Sequence, residues 1–378
     1  MNTISGLVPD IYAALNVVGR ELSGFIPAVT VSSEAARAAV NQSVYVPIAP
    51  AIAGENIVPG TTPPDTGDHT IDRTPITITK SRAFPFRYYG EEDLGLSFGP
   101  GRLTIQQQQI AQAIRAAVNE IEADIGLMYK RTSRALGTPG TTPFASTINL
   151  LNDARKILVD NGCPDADLQF VMDTTAGVNM RNISHLQKVN EAGDAGLLRQ
   201  GILGNLSNFD IRESGYVAQH TKGGANGSYV TNLGSTLAVG DTDVAIDTGS
   251  GTIVAGDVIS FAGDANLYVV ETALAAGTLS INAPGLRATL ADGVALTLGN
   301  SYRANMAFHR GSIIAAIRAP ALPKEGDMAD DRMMITDPYT GLVFEIALYK
   351  QYRRVRYELA VAWGVANIKP EHGCIIRG

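Results

Sequence analysis

The stretch TIQQQQIAQAIRAAVNEIEADIGLMYKR, residues 104–131, decides how the rest of this chain must be arranged. Ile110, Ile114, Ala117/Val118, Ile121, Ile125 and Met128 recur every three to four residues, with Gln, Arg, Asn and Glu between them. That is the period of a helix with one apolar stripe. Thr104-Ile105-Gln106-Gln107 fits a capping box, in which a hydroxyl and an amide satisfy each other's backbone N–H groups, so the spacing predicts a start at Thr104. The Gln106–Gln109 run then reads as the exposed first turn. Unbroken to Arg131, the helix measures about 40 Å at 1.5 Å per residue. It is a strut across a whole domain, with Ile110, Ile114, Ile121 and Ile125 as its buried core.

Upstream of the strut the texture changes. Pro47, Pro50, Pro59, Pro63, Pro64, Pro75 and Pro85 fall between Val46 and Gly90. Proline removes backbone donors and blocks helix, so an extended excursion is forced. Its flanks, Val44-Tyr45-Val46 and Ile76-Thr77-Ile78-Thr79-Lys80, alternate like two arms of a hairpin. The small and polar loop 51–75 between them buries little and reads as either disordered or partner-contacting. Before the excursion, Ile11, Leu15, Val18 and Leu22 mark a short amphipathic helix over 8–23, too short to hold itself in water.

Downstream, Ile148, Leu151, Ala154 and Ile157/Leu158 predict a helix over 146–161. A buried strand Leu168–Met172 follows, then Asp173 as N-cap of a helix over 175–184, and a short strand around Phe209–Arg212. At about Gly215 the helical period stops. Six short alternating runs follow: Tyr229–Thr231, Val244–Ile246, Val258–Phe261, Leu267–Val270, Leu279–Ile281 and Val294–Leu298, separated by Gly/Asp turns. They predict a small antiparallel barrel or sandwich. Residues 216–300 carry Lys222 and Arg287 against Asp241, Asp243, Asp247, Asp257, Asp264, Glu271 and Asp292, most of the chain's net charge of −7. Mixed sequence then resumes with Ile313–Ile317, Val343–Tyr349 and the strictly alternating Arg354–Trp363. This last strand reads as buried on one side, through Val355, Tyr357, Leu359, Val361 and Trp363. Lys350, Arg353, Arg354 and Arg356 read as its polar face. A β module flanked by α/β sequence on both sides marks an insertion into a host domain.

Composition excludes several functions. Charged residues are 18% of 378, where roughly 25% is usual. A net negative chain lacks the electrostatic footprint of a nucleic-acid binder. Two cysteines, Cys163 and Cys374, build neither a disulfide framework nor a metal knuckle, and Cys163 reads as a buried structural thiol. No basic leader precedes an apolar run and no run reaches the ~20 residues of a membrane span, which suggests a soluble, unexported protein without membrane partners. His69, His185, His220, His309 and His372 show no metal-ligand spacing. Asp241-Thr242-Asp243 with Asp247 lacks the rest of a calcium loop and reads as a solvated turn. No nucleotide-binding glycine motif or nucleophile elbow occurs, so no catalytic, cofactor or metal residue is assigned and no enzyme is expected.

The order of segments resembles the Hong Kong 97-type major capsid proteins of tailed phages. Gly256-Asp257-Val258-Ile259-Ser260-Phe261-Ala262-Gly263, and Trp363-Gly364-Val365 followed by Lys369-Pro370-Glu371, are similar to the coat proteins of the short-tailed Salmonella phage (P-22 type). The likeness spans essentially the whole chain, with a shorter insertion than in the type member. It implies an α+β capsid fold with an N-terminal arm (1–45), an extended loop (46–98), a peripheral domain (99–164) with the spine helix 104–131, an axial domain (165–215 and 303–342), an inserted antiparallel β-barrel domain (216–302) and a peripheral return strand and C-terminus (343–378). It further implies self-assembly through pentamers and hexamers into an icosahedral virion shell in the host bacterial cytoplasm. A scaffolding protein, a portal at one vertex and enclosed double-stranded DNA, bound without sequence specificity, are the implied partners. Asp68, Arg73, Arg82, Arg87, Asp241, Asp243 and Asp247 are candidate inter-subunit contacts on this reading. The rival readings are a sugar-binding tail or adhesin component, which requires exposed aromatics on the β module, and a bacterial nanocompartment shell, which should lack the insertion.

Overall fold

The computed structural model describes residues 23–48, 72–97, 102–188, 203–225, 229–337 and 340–378, with residues 52, 54, 56, 57, 59 and 60 between the first two segments. The helix expected over 8–23, most of the loop 51–75 and Asp68 lie outside them.

The first part of the chain is extended: β1 (Thr30–Ala38), β2 (Ser43–Ile48), β3 (Asp72–Thr77) and β4 (Lys80–Tyr89). β2 and β3 pair antiparallel with each other, Val44 opposite Ile76, as the alternation requires. After α1 (Gly90–Ser97) comes the strut, α2 (Arg102–Gly126), which tightens into a 3-10 segment over Leu127–Arg131. Ile110, Ile114, Ile121 and Ile125 are all buried along it. Two expectations are corrected here. The helix already runs at Arg102, so Thr104 stands inside it and the capping box is not its start. Gln106 is only 6% exposed, because the ends of neighbouring strands overhang this turn: it shares a cleft with Tyr88, Val355 and Tyr357.

β5 (Arg134–Leu136), α3 (Asn149–Asp160), β6 (Leu168–Met172) and α4 (Thr174–Arg181) follow, the last capped as expected by Asp173, whose carboxylate accepts from the Thr175 N–H at 3.4 Å. Next are the one-turn α5 (Ser184–Gln187), β7 (Asn205–Leu206), β8 (Phe209–Glu213) and β9 (Gln219–His220). The six predicted short strands appear as β10 (Tyr229–Thr231), β11 (Asp243–Asp247), β12 (Val258–Phe261), β13 (Tyr268–Ala275), β14 (Thr278–Ile281) and β15 (Ala295–Leu298). They pair antiparallel in the order β12-β15-β10-β11-β14-β13, and β13 pairs back onto β12. That closes a six-stranded barrel, which removes free edges. Val244, Ile246, Ile259, Phe261, Tyr268, Leu279 and Ile281 fill it.

The rest is β16 (Tyr302–His309), β17 (Ile313–Pro320), β18 (Asp331–Thr336), β19 (Val343–Gln351), β20 (Arg354–Asn367) and β21 (Gly373–Arg377). β16 lies between β21 and β6, β8 lies parallel to β6 and β9 pairs antiparallel with the start of β16, so the chain leaves this sheet for the barrel after β9 and returns to it at β16. One rung, Tyr268 opposite Arg134, joins the barrel to it.

β20 organises the other sheet. It pairs with β4 over Arg354–Trp363, with β19 over Arg354–Ala360 and with β17 over Ala362–Asn367. β1 adds parallel to β17 and β18 antiparallel to β19. Tyr357, Leu359, Val361 and Trp363 pack with the strut's isoleucines in one core, each buried side chain of this size contributing roughly 1.5–3 kcal/mol. The expectation of a single buried side is corrected, because Ala360, Ala362 and Gly364 are buried as well. The root of the β2–β3 hairpin covers that face. A Cβ at Gly364 would stand 2.0 Å from the Thr77 carbonyl oxygen, so only glycine admits the approach.

Candidate functional site

Arg73, Arg82 and Arg87 project from β3 and β4 and are exposed. Arg82 pairs with Glu120 of the strut at 3.1 Å, and its neighbour Lys80 pairs with Asp124 at 2.7 Å. Asp124 also accepts from the Trp363 indole N–H at 2.7 Å, so one carboxylate ties strut, β4 and β20 together. Arg87 stands opposite Arg356 in the β4–β20 ladder; Arg356 is paired with Glu358.

Asp243 and Asp247 are exposed on the same face of β11, as residues four apart on a strand must be. Asp243 accepts from the Ser280 hydroxyl and Asp247 from Thr248 at 2.6 Å. Asp241 is half-buried in the preceding turn, where it accepts from the Ala238 N–H at 2.7 Å. These are solvated turn and strand carboxylates. Among the described residues no ion pair joins the arginines of β3–β4 to the aspartates of β11, so the structure places the candidates in two separate groups.

The barrel's acidic count does not lie wholly on its surface. Asp257 is buried at the joint with the body, where its carboxylate accepts from the Val254 N–H at 2.7 Å and from the Gly223 N–H at 3.1 Å. His220 Nε2 lies 2.8 Å from the same carboxylate, and its Nδ1 lies 2.8 Å from the Tyr129 hydroxyl at the end of the strut. Every atom is satisfied when Tyr129 donates to Nδ1 and Nε2–H donates to Asp257. Burial and the Asp257 charge push the Tyr129 phenol up to about 12, so it stays a donor. Tyr302 closes the joint by donating to the Gly256 carbonyl at 2.6 Å. Arg131 and Glu271 add an ion pair on the outside.

Glu122 is the second buried acid that the sequence reading passed over. Burial pushes its carboxyl above the ordinary range, while N–H donors from Phe25, Ile26 and Gly24 and the Ser214 hydroxyl pull it back. A signal existed: Ile114, Val118 and Glu122 are spaced by four, which sets a charge on the apolar stripe. Nothing comparable marked His220 and Asp257, which are far apart in sequence. A third buried acid, Glu345, holds Arg37 of β1 at 2.5 Å and Arg332 of β18 at 2.6 Å.

Cys163 and Cys374 are buried, and burial pushes their thiols up to about 11 and about 12. Among the described residues no three His, Cys, Asp or Glu side chains stand together as metal ligands, and no helix is long and apolar enough to cross a membrane.

No protein-family model and no curated protein matches the chain. Among solved structures it is similar to a capsid of cyanophage P-SCSP1u, with 11% identity and a TM-score of 0.48 over 93% of this chain and 86% of that one. It is similar to the mature capsid of bacteriophage PhiM1, with 10% identity and a TM-score of 0.47 over 94% and 86%. It is also similar to a chain from Mycobacterium phage Che8, with 14% identity and a TM-score of 0.44 over 89% and 84%.

Proposed function

We propose that this chain is a structural, non-catalytic shell subunit: a major capsid protein of the Hong Kong 97 type from a tailed double-stranded DNA phage, nearest in plan to the Salmonella-phage coat proteins with an inserted β-barrel. The observation that carries the reading is the excursion between β2 and β3. Its two arms pair only with each other among the described strands, and Ile52 and Ile57 on it are 78% and 97% exposed. Large apolar side chains left exposed between the two arms of a hairpin call for a neighbour to cover them. The low charge density supports the same conclusion, because a subunit enclosed by copies of itself would have to desolvate every unpaired charge.

On this reading the segment from residue 104 to 131 is the spine helix, 216–302 the inserted domain and 46–98 the loop that overlaps the next subunit. The subunits form pentamers and hexamers with a scaffolding protein and a portal, and Arg73, Arg82, Arg87, Asp241, Asp243 and Asp247 act between subunits. A sugar-binding tail component is disfavoured, since Tyr229, Phe261 and Tyr268 are buried inside the barrel and Tyr216, at 39% exposure, sits on its stem. Expressing the chain alone and with the neighbouring genes of its operon, followed by negative-stain microscopy, tests the proposal. Shells, tubes or curved sheets are expected; small discrete oligomers under every condition would overturn it.

A further inference from the structure

Glu122 lies one helical turn before the strut's α-helix ends. Its Oε1 accepts from the Gly24 N–H at 2.6 Å, the Phe25 N–H at 2.7 Å and the Ser214 hydroxyl at 2.8 Å, and its Oε2 accepts from the Ile26 N–H at 2.9 Å. One buried carboxylate therefore collects four donors from two segments distant in sequence. The first is the root of the N-terminal arm, just ahead of β1. The second is the stem by which the chain leaves β8 for the barrel.

Gly126, four residues further on the same helix face, receives the same two segments. A Cβ there would stand 2.8 Å from the Tyr216 carbonyl oxygen and 3.3 Å from the Phe25 ring. Arm root and stem also touch each other directly, because a Cβ on Gly24 would lie 2.5 Å from the Glu213 carbonyl oxygen. Glu213 is in turn fixed by a two-pronged pair with Arg181 of α4, both contacts at 2.7 Å.

We propose that this junction is a conformational interlock: the arm root and the barrel stem are held by the same carboxylate and the same helix face, so that loosening one loosens the other. Replacing the Glu122 carboxylate by an amide leaves one oxygen for three buried N–H groups and sets an NH2 against at least one of them, and an unpaired buried donor is expensive. The stem loses the Ser214 contact in the same event, while the barrel keeps its separate joint through Tyr129, His220 and Asp257. The inference rests on the subunit's own geometry and holds whether or not the chain builds a shell.

Hydrogen exchange followed by mass spectrometry on the full-length soluble subunit tests it. In Glu122→Gln, exchange in peptides covering 24–29 and 214–218 should accelerate about tenfold together, with α3 unchanged. In Ser214→Ala, which removes the stem's hydroxyl from Glu122 and from the Tyr216 N–H, both peptides should accelerate by a smaller factor of about three, and the response of 24–29 is the one that reads the coupling. Acceleration confined to the segment that carries the mutation, or unchanged exchange in both, overturns the interlock. Should Glu122→Gln fail to fold, Ser214→Ala decides alone, since its truncation removes one hydroxyl and fills no space.

Discussion

The barrel and the six-stranded sheet are neighbours in one chain and are put together by opposite means. Every rung of the barrel joins residues between 229 and 298, such as Val258 with Val269, and most of its core is its own, although Val258 and Val269 pack into the core of the body. The large sheet joins Thr30 to Ile314 and Phe84 to Leu359, and its core is completed only when the strut lies across β20. Local pairs close short loops at small entropic cost, whereas distant pairs must close long ones first. Two cooperative units therefore follow from the topology, meeting at Asp257, which reaches the end of the strut through His220 and Tyr129. Trp363, the single tryptophan, is fully buried in the sheet and reports that unit alone.

The largest effect should come from placing Asp at Ile114 and Ile121 together. Two unpaired carboxylates would enter the core under β20, at several kcal/mol each. Trp363 fluorescence should shift to that of a solvated indole without denaturant, while amides of residues 229–298 remain protected. A folded, soluble double variant would show that the strut presents a different face. Phe261→Ala comes next, at about 3–5 kcal/mol from the cavity it leaves. It should lower the barrel's melting transition and leave the Trp363 transition in place; an equal shift in both would merge the two units into one. Asp257→Asn, at about 2 kcal/mol, weakens the joint itself by removing a charge that accepts from two backbone N–H groups. Differential scanning calorimetry should then show the two transitions moving apart. Arg82→Ala should change subunit stability by about 0.5 kcal/mol, because its pair with Glu120 is more than half exposed on the arginine side. A fall in assembly yield at unchanged melting temperature would assign Arg82 to a subunit contact.

The same contrast explains what was legible. All six barrel strands, α3, β6 and the core positions of the strut follow from local alternation and spacing, because their partners or their periodicity lie close by in sequence. β1, β4, β16, β18 and β21 went unread. β1 and β18 are polar, β21 is short, β4 is interrupted by proline and β16 breaks the alternation with Arg303 and Asn305, and each takes its strand state from a partner that only the fold supplies, such as β4 from β20. The buried side of β20 that carries Ala360, Ala362 and Gly364 was missed for the same reason: small residues look like surface until a hairpin root is laid on them. Of the candidate contacts, the arginines and the aspartates could be picked by charge, but Glu122 and Asp257 could not be told from surface acids without knowing what donates to them.

β20 also sets a schedule. β4 is synthesised roughly 265 residues before the strand that pairs with it, Tyr89 being registered with Arg354. At about 5–20 residues per second, that is on the order of 10–50 s on the ribosome. During that interval the barrel can close and be finished, while β4, the strut and the root of the hairpin wait with their apolar faces open. Two nascent chains on one messenger would present matching unfinished edges to each other, so a chaperone that holds β4 and the strut until β20 emerges would be of most use to this protein.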